Sequence, residues 1–129
     1  MNTTRAGFTL IELLMVVVVI GLLAGVAIPR FQAVRARSYL SSMRADLRNL
    51  ANQQDVYYNE HFSYSTNATA LQFSGSEGVT VALGEAHSLG WSASAIHSAL
   101  GTGAICAIYH GSATQVAPAS VPSTVQCSG

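Results

Sequence analysis

Phe8-Thr9-Leu10-Ile11-Glu12-Leu13-Leu14-Met15-Val16-Val17-Val18-Val19-Ile20-Gly21-Leu22-Leu23-Ala24-Gly25-Val26-Ala27-Ile28 is a run of 21 residues, of which 17 are apolar and only Glu12 is charged. A helix of that length spans about 30 Å, the thickness of a bilayer's hydrocarbon core. The apolar residues fall on every face, which excludes the one-sided stripe of a helix lying on a soluble core. Four consecutive valines, Val16 to Val19, are poor helix formers in water. In lipid every backbone polar group must be paired within the segment, so the helix becomes obligatory. A secretory signal peptide cleaved near Ala24, Gly25 or Ala27 is the alternative reading. It leaves Glu12 unexplained, because a carboxylate inside such a run costs roughly 2.5–3.5 kcal/mol on insertion scales.

Working outward, the whole chain has 129 residues, 50% of them apolar and 9% charged, with six arginines, six acids and no lysine. That length supports a single modest core. Zero formal charge argues against a chain that coats nucleic acid or another polyanion. The charges are segregated. Residues 1–48 hold all six arginines with only Glu12 and Asp46, whereas residues 49–129 hold Asp55, Glu60, Glu77 and Glu85 and no base.

Ala6-Gly7 followed by Phe8-Thr9-Leu10-Ile11-Glu12-Leu13 resembles the processing site of type IV prepilins and the related pseudopilins. The resemblance continues to Gly21 and Pro29 and covers about residues 5–31. It implies a leader, residues 1–7, removed by a membrane prepilin peptidase that cuts between Gly7 and Phe8 and methylates the new amine. It also implies a single-pass precursor in the inner membrane with a cytoplasmic N-terminus, an inner-membrane assembly platform as partner, and a helical homo-oligomeric filament outside the cell. Cleavage would place a positive amine at Phe8, four residues before Glu12 and on the same helix face. Phe8 and Glu12 are thus the expected assembly residues, paired within one subunit or between neighbours.

Gly21, Gly25 and Pro29 recur every fourth residue. One reading is a small-residue surface for helix packing. The other is a weak stretch, since Pro29 removes the hydrogen bond to the Gly25 carbonyl. The family resemblance implies local melting at these three positions on passing from membrane to filament.

Residues 8–29 therefore read as the membrane and polymerisation helix, and residues 30–62 as its amphipathic continuation. Val34, Leu40, Met43, Leu47, Leu50 and Tyr57 or Tyr58 recur at threes and fours in that second part. The arginines among them read either as a solvated face or as partners for the acidic head of another subunit. Counting charges alone, the arginine-rich side would face the cytoplasm. The prepilin-like site and the cysteines argue the other way.

Residues 63–129 read as a globular β head. A loop over 63–78 precedes expected strands at 79–83, 91–97 and 104–109, with a turn at 110–113 into a further run at 114–117. The fold class is α+β: a long N-terminal helix packed on a small antiparallel sheet, as in type IV pilins. Alanine supplies 16 of the 45 apolar residues in 29–129, so the core is thin and calls for a staple. Cys106 and Cys127 are the only cysteines. A disulfide between them would tie down the last residues, and two free structural thiols are the alternative. The pair resembles the disulfide-bounded segment of many pilins.

No constellation for catalysis stands out, and no cofactor is implied. His61, His87, His97 and His110 lack ligand spacing, so no metal is expected. Asn67-Ala68-Thr69 fits a glycosylation sequon and reads as loop. The ten aromatic residues read as packing rather than an electron path. Nucleic-acid binding is disfavoured by the base-free head. The function expected is that of a structural pilus subunit and not an enzyme. A type II secretion pseudopilin and a minor tip subunit acting as adhesin or DNA receptor are the alternatives.

Overall fold

A computed structural model describes residues 6–129. The leader expected over 1–7 is therefore described only at Ala6 and Gly7, and Arg5 lies outside the described residues. The elements run α1 (Leu10–His61), β1 (Val79–His87), β2 (Gly90–His97), a short 3-10 turn, β3 (Ile105–Gly111) and β4 (Gln126–Ser128). The chain divides into two compact units, Met1–Arg35 and Ala36–Gly129.

The first unit is the leading part of α1. It is long and apolar enough to cross a membrane. Its large apolar side chains are exposed all round, from Val18 and Val19 at 52% to Phe8 at 90%. Pro29 sits inside the helix, which is continuous through Gly21 and Gly25.

The second unit begins with the rest of α1. Met43, Asp46, Leu47, Leu50 and Gln54 are its buried residues, at successive offsets of three, one, three and four. That single stripe is the amphipathic face expected from the sequence. Val34, by contrast, is exposed. The sheet is an antiparallel meander in the order β1-β2-β3-β4. Its core face is made by Trp91, Ala93 and Ala95 of β2 and by Cys106 and Ile108 of β3, which alternate as the pleat requires. Met43, Leu47 and Leu50 pack on these residues, and Leu71 closes the cluster from the loop. Two of the three β2 residues facing the helix are alanines, so the large volume comes from α1 and from Trp91.

β1 is longer than the run of 79–83 because it resumes after a bulge between Leu83 and Ala86. The bulge has a local cause. The Glu85 amide donates to the Ser92 hydroxyl at 3.2 Å, and a Cβ at Gly84 would lie 2.5 Å from that same oxygen. Residues 114–117 are not a strand, contrary to expectation. The Thr114 amide is taken by the Glu85 carboxylate rather than by a neighbouring strand. Pro118 has no N–H to donate and restrains the residue before it. The fourth strand is instead Gln126–Ser128, which pairs with β3 so that Cys127 stands opposite Cys106. The two sulfurs are bonded.

Two polar side chains on the buried stripe hold the 62–78 loop against α1. Asp46 is 6% exposed and accepts the Ser76 amide at 2.7 Å and the Ser76 hydroxyl at 2.8 Å. Gln54 is fully buried, donates to the Ser65 carbonyl at 2.7 Å and accepts the Ser65 amide at 3.0 Å. Buried polar groups are tolerated only when paired in this way.

Closing the 21-residue interval between the cysteines contributes roughly 3 kcal/mol in the chain-entropy picture. The double variant Cys106→Ala/Cys127→Ala is expected to lose about that much, read from the urea midpoint of the buried Trp91 fluorescence in the detergent-solubilised chain. An unchanged midpoint would show that β4 is held without the bridge.

Candidate functional site

The residues expected to be processed and to direct assembly lie where irregular backbone turns into α1. Gly7 and Phe8 precede the helix and are exposed, and among the described residues no heavy atom lies within 4 Å of where a Cβ on Gly7 would stand. Thr9 stands at the N-cap position. Its hydroxyl accepts the Glu12 amide at 3.3 Å, and Glu12 Oε2 accepts the Thr9 amide at 2.8 Å. The Thr9 carbonyl takes the Leu13 amide at 3.3 Å. This is a reciprocal capping box, which satisfies donors that the first helical turn would otherwise leave bare. In lipid, where no water can take those donors, the pairing matters more.

The box turns the Glu12 carboxylate toward the helix N-terminus, beside the residue that follows Phe8. Phe8 and Glu12 are therefore close neighbours at the helix start. The spacing Thr9-x-x-Glu12 carries the signal for the box, and reading Glu12 only as an ion partner overlooked it. The negative side chain in the first turn also suits the helix dipole.

Gly21 and Gly25 face open space, with nothing within 4 Å of where a Cβ on either would stand. Among the described residues no other element uses them as a packing surface. Together with Pro29 they lie in regular helix here.

Cys106 and Cys127 lie at the other end of the chain, on paired strands. Arg44 of α1 donates from Nε to Cys127 Sγ at 3.3 Å. Between β3 and β4 the chain forms a largely exposed segment, with Ala113 and Ala119 buried, that is fastened at several points. Tyr109 donates its hydroxyl to the Ser120 carbonyl at 3.1 Å, and the Ser123 amide returns to the Tyr109 carbonyl at 2.7 Å. His110 Nδ1 and the Ser123 hydroxyl are 2.7 Å apart. The Gln126 side-chain carbonyl gathers the Ser120 and Val121 amides and the Ser120 hydroxyl. The Thr114 amide and its own side chain beside Glu85 hold that carboxyl below the usual 4.5, the backbone bond being the main cause. Burial, aided by Asp55 and Tyr58, raises the Tyr64 phenol above its usual 10.0.

The histidines are dispersed. His61 stacks on Tyr57 with ring centroids 4.0 Å apart, and His97 on Tyr39 at 4.2 Å. His87 accepts the Leu89 amide. Among the described residues no group of three or more His, Cys, Asp or Glu side chains is placed to hold a metal. Asn67 accepts the Thr69 and Ala70 amides and so shapes its own loop.

Fold and site together define a helix-on-sheet protein whose apolar leading helix follows an open, capped N-terminal segment. Comparison with known proteins agrees. The profile described as Prokaryotic N-terminal methylation motif matches residues 2–28. The chain is 40% identical over 77 residues to the type IV major pilin protein PilA of Myxococcus xanthus, covering 60% of this chain and 35% of that one. It is 37% identical over 70 residues to a fimbrial protein of Neisseria meningitidis, covering 54% and 41%. It is 42% identical over 65 residues to the type IV wide pilus major component PilA4 of Thermus thermophilus, covering 50% of each. The chain spans from about a third to half the length of these relatives. Its N-terminal part is thus similar to that of type IV pilins.

Because the folded state lowers the Glu85 pKa, this carboxylate stabilises the 112–119 region above the ordinary value of 4.5, and the contribution is lost as pH falls through the lowered value. Hydrogen exchange at the Thr114 amide is expected to be slow near neutral pH and to accelerate, relative to its intrinsic rate, in that acid window. In Glu85→Gln the acid step should disappear; a step that survives the substitution would assign it to another group.

Proposed function

We propose that the chain is a structural subunit of a type IV pilus, held in the inner membrane as a precursor, cut between Gly7 and Phe8, methylated at Phe8 and polymerised through α1 into an extracellular filament. The observation that carries this reading is the methylation-motif match over residues 2–28, which ends in the same apolar helix that finds no cover within its own chain. The relatives' names supply the filament: two are major pilus components and one a fimbrial protein.

The residues support a sequence of steps. Gly7 offers the peptidase an unhindered bond. Cleavage turns the Phe8 nitrogen into a cation beside a carboxylate that the capping box already directs to that end. Among the described residues of the precursor, the donor that Glu12 accepts is the neutral Thr9 amide. After cleavage it has an ionic partner, on its own subunit or on the next. In an apolar surrounding a paired charge is tolerated and an unpaired one is strongly unfavourable. That difference sets the axial register of neighbouring subunits. Gly21, Gly25 and Pro29 let the helix loosen as it leaves the bilayer, since two glycines and a proline are the weakest helix formers available. The globular unit and its disulfide-bounded segment then form the filament's outer surface. The prepilin peptidase and the inner-membrane platform are the partners this route requires.

Shearing cells and sequencing the fibre protein tests the reading. Fibres that begin at N-methylated Phe8 support it; a chain retained in the envelope with Met1 still present overturns it. In Glu12→Ala, cleavage at Gly7 is expected to continue while fibre yield falls by roughly an order of magnitude or more, as an unpaired buried charge demands. Wild-type yield from that variant would remove Glu12 from assembly.

A further inference from the structure

Arg30 and Arg35 stand 20 and 25 residues beyond Leu10 in one continuous helix. At 1.5 Å per residue these offsets are about 30 and about 38 Å, the first at the limit of a bilayer's hydrocarbon core and the second within its headgroup layer. Ala27, Ile28, Phe31, Gln32 and Arg35 line a shallow groove on the helix. The groove is ordered along the axis. Its lower part is purely apolar and its upper part carries an amide and a guanidinium. The Arg35 guanidinium lies over the Phe31 ring, 5.1 Å from its centroid. A guanidinium stacked on a ring still presents its N–H groups outward, and their fork matches a phosphate's oxygens.

No carboxylate occurs between Glu12 and Asp46, so neither arginine has an acidic neighbour within two turns of its own helix. The two bases also lie on the side of the membrane segment that the usual charge bias leaves poor in arginine. Their placement therefore calls for a negative partner at headgroup depth.

We infer that this face of α1, with Ala27, Ile28 and Phe31 against an acyl chain and Gln32 and Arg35 at the phosphate, binds an anionic phospholipid of the leaflet into which the helix emerges, while Arg30, on another face of the helix, adds its charge at the edge of the headgroup layer. The inference rests on the membrane-held precursor proposed above and adds the lipid class and the residues that select it. The ordered change from apolar to cationic lining matches one amphipathic molecule lying along the helix. The two uncompensated charges distinguish an anionic headgroup from a zwitterionic one. Phe31 does double duty as a wall for the acyl chain and a rest for Arg35. Bound lipid would hold the precursor at a fixed depth, with Arg30 at the hydrocarbon limit, until the subunit is drawn out.

The uncleaved chain reconstituted into vesicles of phosphatidylcholine alone, and of phosphatidylcholine and phosphatidylglycerol in equal amounts, provides the test. Flotation reports insertion, and native mass spectrometry after gentle solubilisation reports the lipid retained. Wild type is expected to float with both vesicles and to retain phosphatidylglycerol over phosphatidylcholine by roughly five-fold for each arginine engaged. Arg30→Gln/Arg35→Gln should float equally and retain the two lipids in parity, and Phe31→Ala should retain less of either. Flotation without phosphatidylglycerol enrichment, or enrichment unchanged in the double variant, overturns the lipid site and leaves the spanning helix intact. Adducts that are second copies of the chain without lipid would assign the face to subunit contact and overturn it as well. Failure to float with phosphatidylcholine overturns the spanning helix itself, and the lipid site with it.

Discussion

The leading part of α1 carries large apolar side chains that stand exposed among the described residues. More than a dozen large apolar side chains between Phe8 and Ile28 are over half exposed. Each one left in water forgoes about 1.5–3 kcal/mol relative to burial. The sum exceeds the net stability of an ordinary domain, about 5–15 kcal/mol. Lipid can supply the missing cover, and so, in the proposed filament, can other helices of the same kind. The backbone is subject to the same condition in both, which makes the reciprocal cap at Thr9 and Glu12 part of the helix rather than an accessory to it.

The second unit meets a milder version of the same problem. Its sheet offers mostly alanine to the helix, so the volume of the core is concentrated in Met43, Leu47, Leu50, Leu71 and Trp91. A core of that size stabilises few irregular segments, and the two long ones are fastened by specific bonds instead. Asp46 and Gln54 hold the loop after the helix, one through Ser76 and one through Ser65. The disulfide and the Gln126 side chain hold the other segment. Asp46 and Gln54 sit on the stripe that faces the core, so the same face of α1 orders both the hydrophobic packing and the loop after the helix.

The sequence made the helix legible from end to end. The apolar run, the change to one-sided periodicity after Phe31, and the lack of proline or glycine over residues 30–62 each have a simple physical reading, and α1 ends at His61. The strands of the sheet were legible where β-branched or alternating residues dominate, as in β1 to β3. They were misread near the second cysteine, because the pairing of residues 126–128 depends on a contact across 21 residues, while 114–117 has the right residue types and loses its donor to Glu85. At the candidate site Gly7, Phe8 and Glu12 were legible through their fixed spacing, and Thr9 was overlooked although its pattern was local. Asp46 and Gln54 carried no such signal. A polar residue on a helix declares itself buried only when the stripe around it is placed against a partner.

Glu12 shows how a single carboxylate can serve two states of one chain. A charge within an apolar segment would be selected against unless each state gives it a partner. In the uncleaved chain the partner is the Thr9 amide, a neutral donor that also needs an acceptor. That bond uses one carboxylate oxygen and points the group toward the amine-bearing end. An amine formed one residue away would then meet a carboxylate already in place, without reorganising the first turn. Under the proposed cleavage, the cap would lower the cost of carrying the charge beforehand and would already orient it toward the new amine.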